Sequence, residues 1–503
     1  MSLRRTRLFV GCRPEVAAGP DGRILAVGAA AHQAAGADPE VAEVRGRTLP
    51  GLADAHIHLE SIARLKLEVD LAGSPSLDHT LARIRRHAAR LPPDAWVVGR
   101  GWYNDAWPDA GFPDRRSLDG AVAGRPALLL RKDGHSGWVS SAALVAAAIT
   151  RETPNPPGGV IDRDPDGEAT GIVRENAVQA VQRCIPQPSD EQLDAAMTAA
   201  MRDLARCGLT SVHSMDAPLA FASLSRLRAR GRLPLRVSYN LPAARLEHAE
   251  RLGVRSGLGD DRLRIWGVKA FLDGSLGSRT AEMVDGSGVR VLAQGELVEL
   301  AGRCARAGLN LCLHAIGDGA VRRALDALEP LAGVWPNWRP RIEHAQCVDP
   351  ADLPRFRRAG VVASMQPIHA VTDRDLADRE WGERTRHAYA WRALLDAGAV
   401  LAFGSDAPVE SPDPLLGVDA ATAWRRRAGW HPGLALTEAQ ALRAYTWGAA
   451  YAVGMEDRLG RLQPGMLCDL TLISDGRVAA TVVGGQLTFP SVHPPADVPV
   501  RSR

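Results

Sequence analysis

Short apolar runs that end in a polar or charged side chain recur along most of this chain, separated by longer amphipathic stretches. Leu263-Arg264-Ile265-Trp266-Gly267-Val268-Lys269-Ala270-Phe271, Leu309-Asn310-Leu311-Cys312-Leu313-His314, Pro340-Arg341-Ile342-Glu343-His344-Ala345 and Ala399-Val400-Leu401-Ala402-Phe403-Gly404-Ser405 have strand length and few polar positions. Strands covered on both faces by helices show this near-continuous apolar character. Between them, Leu297–Ala307, Gly319–Leu331, Pro350–Ala359 and Thr385–Ala397 read as helices. This alternation predicts parallel βαβ units. Eight strands can be placed, near 48–57, 209–215, 234–240, 263–271, 309–314, 340–345, 361–366 and 399–405. Several end in a functional side chain, which favours a closed (β/α)8 TIM barrel, the fold whose enzymes gather their catalysts at the C-terminal rim.

The first of these strands carries His56 and His58 in Pro50-Gly51-Leu52-Ala53-Asp54-Ala55-His56-Ile57-His58. Residues i and i+2 of a strand project from the same face, so two imidazoles at this spacing can grip one metal ion. Alone, the pair is weak evidence, since surface and core histidines are common. His314, His344 and Asp406 at the ends of later runs change that balance, although Asp406 could also cap a turn. Lys269 lies in an apolar strand, where a charged amine is costly unless paired or neutralised. Carboxylation by carbon dioxide would turn it into an anionic oxygen ligand, while pairing with Asp273 is the plain structural alternative.

With these segments, Asp133-Gly134-His135-Ser136-Gly137-Trp138-Val139, Lys269-Ala270-Phe271-Leu272-Asp273-Gly274-Ser275, Ile342-Glu343-His344-Ala345-Gln346 and Gly404-Ser405-Asp406-Ala407-Pro408-Val409-Glu410, the chain resembles the amidohydrolase superfamily. Within it, the resemblance is to the YtcJ-like metal-dependent hydrolases of the amidohydrolase 3 group, and it spans nearly the whole length. It implies a mono- or binuclear site that hydrolyses carbon–nitrogen bonds other than peptide bonds, on an amide or N-acyl small molecule. His56, His58 and Asp406 would hold one metal, His314 and His344 a second, and carboxylated Lys269 would bridge them. Asp406 would act as general base and acid for attack by a metal-bound hydroxide. Zinc suits these nitrogen and oxygen ligands best. Deamination or phosphoester hydrolysis on the same scaffold, or a regulatory relative without turnover, are the alternatives. His135, Trp138, His213 and Arg279 are candidate substrate contacts, with Asp216, Met365 and Gln366 behind them.

At 503 residues the chain exceeds a bare barrel of about 250, so extra domains are required. Strand-like pieces at Arg7–Val10, Arg23–Val27 and Val41–Thr48 are matched near the other end by Asp469–Ile473, Arg477–Val483 and Gln486–Phe489. By the resemblance, residues 1–49 and 450–503 join into a small β-sandwich beside a 50–449 barrel. Strands one and two are separated by far more than a crossover needs. Leu77–Leu91 and Asp190–Cys207 read as helices there, and Trp96–Gly101 and Pro126–Arg131 as strands, so 60–188 is an inserted domain that resembles the family's cap. The Pro-rich tail from Pro490 reads as loosely ordered.

Composition narrows the partners. A net charge of +3, with arginines dispersed, gives no reason to expect nucleic acid or an anionic membrane. No apolar run is long enough to span a bilayer. Arg4-Arg5 hints at a twin-arginine signal, but Arg13-Pro14 interrupts the apolar stretch behind it, so export is not expected. Seven cysteines without paired spacing suit a reducing cytoplasm. Cys312 and Cys347 near the ligands read as small core residues, and assembly into a homo-oligomer stays open. Asp162-Arg163-Asp164-Pro165-Asp166-Gly167 imitates a calcium loop, but the twelfth position, which should be glutamate, is Val173. Ser136 lacks the full Gly-x-Ser-x-Gly elbow.

Overall fold

Residues 5–490 are described by a computed structural model, which divides the chain into two compact units, Met1–Ser61 with Met197–Arg503, and Ile62–Ala196. The tail expected to be loose lies, from 491 on, outside the described residues. The larger unit contains eight parallel strands: β1 (Leu52–Ile57), β2 (Leu209–Ser214), β3 (Arg236–Pro242), β4 (Leu263–Phe271), β5 (Asn310–Ala315), β6 (Arg341–His344), β7 (Val362–Met365) and β8 (Val400–Phe403). They follow one another in sheet order from β1 to β8. Just past the strand ends, Asp406 N donates to His56 O at 2.8 Å and His58 N to Ala407 O at 2.9 Å, stitching β8 back to β1. This is the expected (β/α)8 barrel, and the bonds that close it are made by candidate ligand residues.

Two expectations are corrected. The strand expected over 48–57 is cut at Gly51: Glu40–Pro50 belongs to another sheet, and β1 starts at Leu52. At Gly51 a Cβ would lie 2.3 Å from Thr210 Oγ1, so only glycine lets the chain cross there. The helix expected over Thr385–Ala397 is confined to Trp391–Asp396, because Tyr389 just before it takes a left-handed backbone (φ +49°). A longer helix, α1 (His369–Trp381), occupies the segment after β7 instead. Its sequence is dense in charge and buries only His369, Ala370, Ala377 and Trp381, too thin a stripe to announce a helix.

Both ends of the chain meet in one seven-stranded sheet, in the order Gln486–Pro490, Arg477–Val483, Leu470–Ser474, Glu40–Pro50, Arg7–Arg13, Val16–Ala18, Ile24–Val27. Ile24 N donates to Met466 O and Cys468 N to Gly22 O, both at 2.8 Å, so the far edge folds back over the other end. Phe9, Val16, Ile24, Leu470 and Val482 fill the space enclosed. The sheet is tied to the barrel by the buried Arg236–Asp469 pair, whose two hydrogen bonds are 2.7 and 2.8 Å. The Ile62–Ala196 unit has its own mixed six-stranded sheet and its own core, which includes Ile84, Trp102, Leu118, Leu129 and Trp138. Among the described residues no helix is long and apolar enough to cross a membrane.

Candidate metal centre

The C-terminal ends of β1, β4, β5, β6 and β8 bring His56, His58, Lys269, His314, His344 and Asp406 to one rim. Asp406 follows β8 in a left-handed turn (φ +62°) that directs its carboxylate inward. Its Oδ1 lies 3.1 Å from Nε2 of His58 and 3.5 Å from Nε2 of His56. Gly404 makes this approach feasible, since a Cβ there would sit 2.5 Å from both Asp54 Oδ1 and His56 N. The buried Asp54 accepts from Ser405 N, Ser405 Oγ and His56 N, which locks β1 to the β8 turn. Rings of His56 and His344 are 4.8 Å apart between centroids, and those of His344 and His314 4.5 Å.

Each of these three imidazoles is anchored through one nitrogen. His56 Nδ1 donates to Glu343 Oε2 at 2.7 Å, and His344 Nδ1 to Gln366 Oε1 at 2.8 Å. His314 Nε2 donates to the Gly274 carbonyl at 2.9 Å. A ring held at one nitrogen offers the lone pair of the other, which is how metal-ligating histidines are oriented. Burial, with the nearby Lys269 charge, depresses His56 to about 4 and His314 to about 3, and burial holds His344 well below the usual range. The rings are therefore neutral at physiological pH, the form a metal requires. Burial opposes ionisation of Asp406, but His369, His58 and His56 outweigh it and hold the carboxyl far below its usual range.

Behind His56 runs a buried chain of polar groups. Glu343 pairs with Arg341, accepting from its Nη2 at 3.0 Å, and Arg341 also donates to Ser364 Oγ, to the Ala55 carbonyl and to His213 Nδ1. Although burial opposes it, Arg341 and His56 hold Glu343 well below the ordinary carboxylate range, so an anion backs the His56 ring. Lys269 is only 4% exposed, and its Nζ has no hydrogen-bond partner. Burial lowers its pKa. Buried polar atoms are almost always paired. An orphaned amine beside neutral imidazoles and an ionised carboxylate is a donor set that fits a divalent metal.

One residue of the rim was not anticipated. His369, the first residue of α1, is buried, and its Nε2 lies 3.4 Å from Oδ2 of Asp406. His56, His58 and Asp406 form one group whose ligand atoms lie within 4.8 Å of one another, and His344, His369 and Asp406 form another. The only sequence signal was its position a few residues after β7, at the same rim level.

The remaining candidates are placed elsewhere or otherwise engaged. His213 is buried beneath the rim, where its Nδ1 accepts from Arg341 at 2.9 Å, so it props the network rather than facing a ligand. Asp216, held up to about 6 mainly by burial, accepts from Ser214 Oγ and Glu60 N. Gln366 orients His344, and Met365 is core. Arg279 is exposed and pairs with Glu380 at 3.1 Å. His135, also exposed, pairs with Glu175 at 3.0 Å. Trp138 is fully buried in the core of its unit and donates to Asp114 O, which corrects the expectation that it touches substrate. Cys312, its pKa pushed up to about 12 by burial, donates to Asn240 Oδ1 as a thiol.

An eight-stranded parallel barrel with buried imidazoles and a carboxylate converging at one rim defines a metal-dependent barrel hydrolase. The amidohydrolase family model matches residues 45–488, and the chain belongs to that family. It is 30% identical over 475 residues to the putative amidohydrolase YtcJ of Bacillus subtilis, covering 88% of each chain. It is 29% identical over 479 residues to an N-substituted formamide deformylase of Arthrobacter pascens, covering 90% of this chain and 88% of that one. A crystal structure of an uncharacterized metal-dependent hydrolase from Pyrococcus furiosus superposes with a TM-score of 0.77 at 29% identity, over 94% of this chain and 99% of the other.

Proposed function

We propose that this enzyme hydrolyses a carbon–nitrogen bond other than a peptide bond, in a small N-formyl or N-acyl amide. The observation that carries the reading is the set of neutral, outwardly anchored imidazoles around the ionised Asp406, beside the unpaired amine of Lys269. The deformylase relative supports the bond type. His56, His58 and Asp406 would hold one divalent ion, most simply zinc. His314 and His344 would hold a second, and Lys269, carboxylated by carbon dioxide, would supply a further oxygen ligand. Such ions supply Lewis acidity towards a carbonyl oxygen and bring the pKa of water down towards about 7.

The protein's own groups do the rest. Asp406 faces the metal ligands through Oδ1, which leaves Oδ2 to take the proton of the attacking water and return it to the departing nitrogen. The Arg341–Glu343–His56 chain fixes the ring that aligns this carboxylate. Burial lowers the pKa of Lys269, which favours the neutral amine that reacts with carbon dioxide. A hydrolysis screen of N-formyl, N-acyl and cyclic amides with added zinc or manganese tests the reading. Release of amine from a member of that set is expected, and turnover confined to phosphoesters or aminopurines would overturn it. For Lys269→Ala, rescue by short carboxylic acids is expected; unchanged metal content and rate would refute the carbamate.

A further inference from the structure

His369 has no place in the reaction just described, yet it is built into the rim. Its Nε2 is buried without a hydrogen-bond partner, although Asp406 Oδ2 lies 3.4 Å away. Buried imidazole nitrogens are normally paired at hydrogen-bond distance, and this one meets its nearest acceptor only at ion-pair range. The ring's other nitrogen, Nδ1, lies 3.9 Å from Glu410 Oε1, and that carboxylate is held by Thr372 Oγ1 at 2.5 Å. Metal-bound histidines have a carboxylate behind the ring, and Glu410 stands on that side of His369 at ion-pair rather than hydrogen-bond distance. The cluster is present: ligand atoms of His344, His369 and Asp406 all lie within 4.8 Å of one another.

We propose that His344, His369 and Asp406 form an additional cation seat, competing with the His314–His344 one, that takes zinc when the metal is in excess and silences the enzyme. This rests on the hydrolase reading above and adds its regulation. Two consequences follow from the geometry. His344 has Nδ1 committed to Gln366, so its single remaining nitrogen can serve either this seat or the arrangement with His314 and Lys269, never both. Asp406 presents Oδ1 to His56 and His58 and Oδ2 to His369, so filling this seat engages the oxygen that must carry the proton.

The test is equilibrium dialysis of the demetallated full-length protein against zinc, paired with hydrolysis of the best amide from the screen. Wild type is expected to show a tight class and a weaker one, with activity falling as the weaker class fills. In His369→Asn and His369→Gln, checked for native circular dichroism, the weaker class is expected to lose roughly 10- to 100-fold in affinity. The fall in activity should then move to correspondingly higher zinc, with the tight class kept. Lys269→Ala, which removes the competing arrangement, should keep the weaker class. A wild type with one tight class only, His369 variants that bind zinc as wild type does, or loss of the weaker class in Lys269→Ala would each overturn the seat while leaving the hydrolase reading intact. A wild type that binds no zinc and hydrolyses no amide would overturn that reading instead. Should neither His369 variant fold, the wild-type and Lys269→Ala isotherms decide the matter.

Discussion

The barrel rim and the Ile62–Ala196 unit contain the same kinds of residue in opposite circumstances. At the rim, His56, His314 and His344 are each anchored by a hydrogen bond at one nitrogen, and Lys269 Nζ, which lies over the Phe271 ring, has no hydrogen-bond partner. In the Ile62–Ala196 unit, His135 is exposed against Glu175, and the indole of Trp138 is packed against Trp102 with its N–H bonded to Asp114 O. The difference lies in what burial leaves unsatisfied. A histidine in water asks for nothing, whereas a buried one with a free nitrogen asks for a ligand.

The largest effect is expected at Asp406. Asp406→Asn keeps an oxygen for the metal but removes the proton carrier, so hydrolysis should fall by roughly 10²- to 10⁴-fold with metal retained. Steady-state kinetics beside metal analysis of the same sample measures both, and undiminished turnover would erase the distinction drawn for the rim. Trp138→Ala should act only on stability, removing roughly 3–5 kcal/mol in denaturant unfolding, because it empties a core position. A change in zinc affinity with the fold intact would show that the indole does more than pack.

A smaller effect concerns pH. Ordinary histidines give up a metal as they protonate near 6.5, but His56 is depressed to about 4 and His314 to about 3. A lowered pKa keeps the ring neutral as pH falls, so zinc affinity should decline only gently below 6.5 and collapse nearer 4. Chelator competition across that range checks the sign. A loss of about tenfold per pH unit for each of these ligands, beginning at 6.5, would mean that they titrate like exposed rings. Smallest of all, His135→Ala should leave metal content and rate unchanged and shift stability by less than about 0.5 kcal/mol.

Much of the rim was legible because the barrel strands announce themselves as apolar runs and their last side chains stand out as polar. Asp406 could be placed from the Gly404-Ser405-Asp406 turn without knowing that its backbone N–H would bond to the His56 carbonyl. What escaped was whatever depends on packing between distant strands. Arg341 and Glu343 read as ordinary members of an apolar run, yet they are the buried pair that holds His56 and props His213. His369 escaped because α1 has too thin an apolar stripe to be recognised as a helix. Trp138 was overread, since a tryptophan in a Gly-rich stretch is compatible with a pocket wall until its neighbours are known.

The most direct measurement is metal content of the purified protein by mass spectrometry, with the fold monitored by circular dichroism before and after chelation. One to two equivalents of divalent metal per chain are expected, with hydrolysis lost on chelation and restored by zinc or manganese. A fully folded, metal-free protein that hydrolyses amides at an undiminished rate would contradict the metal centre altogether.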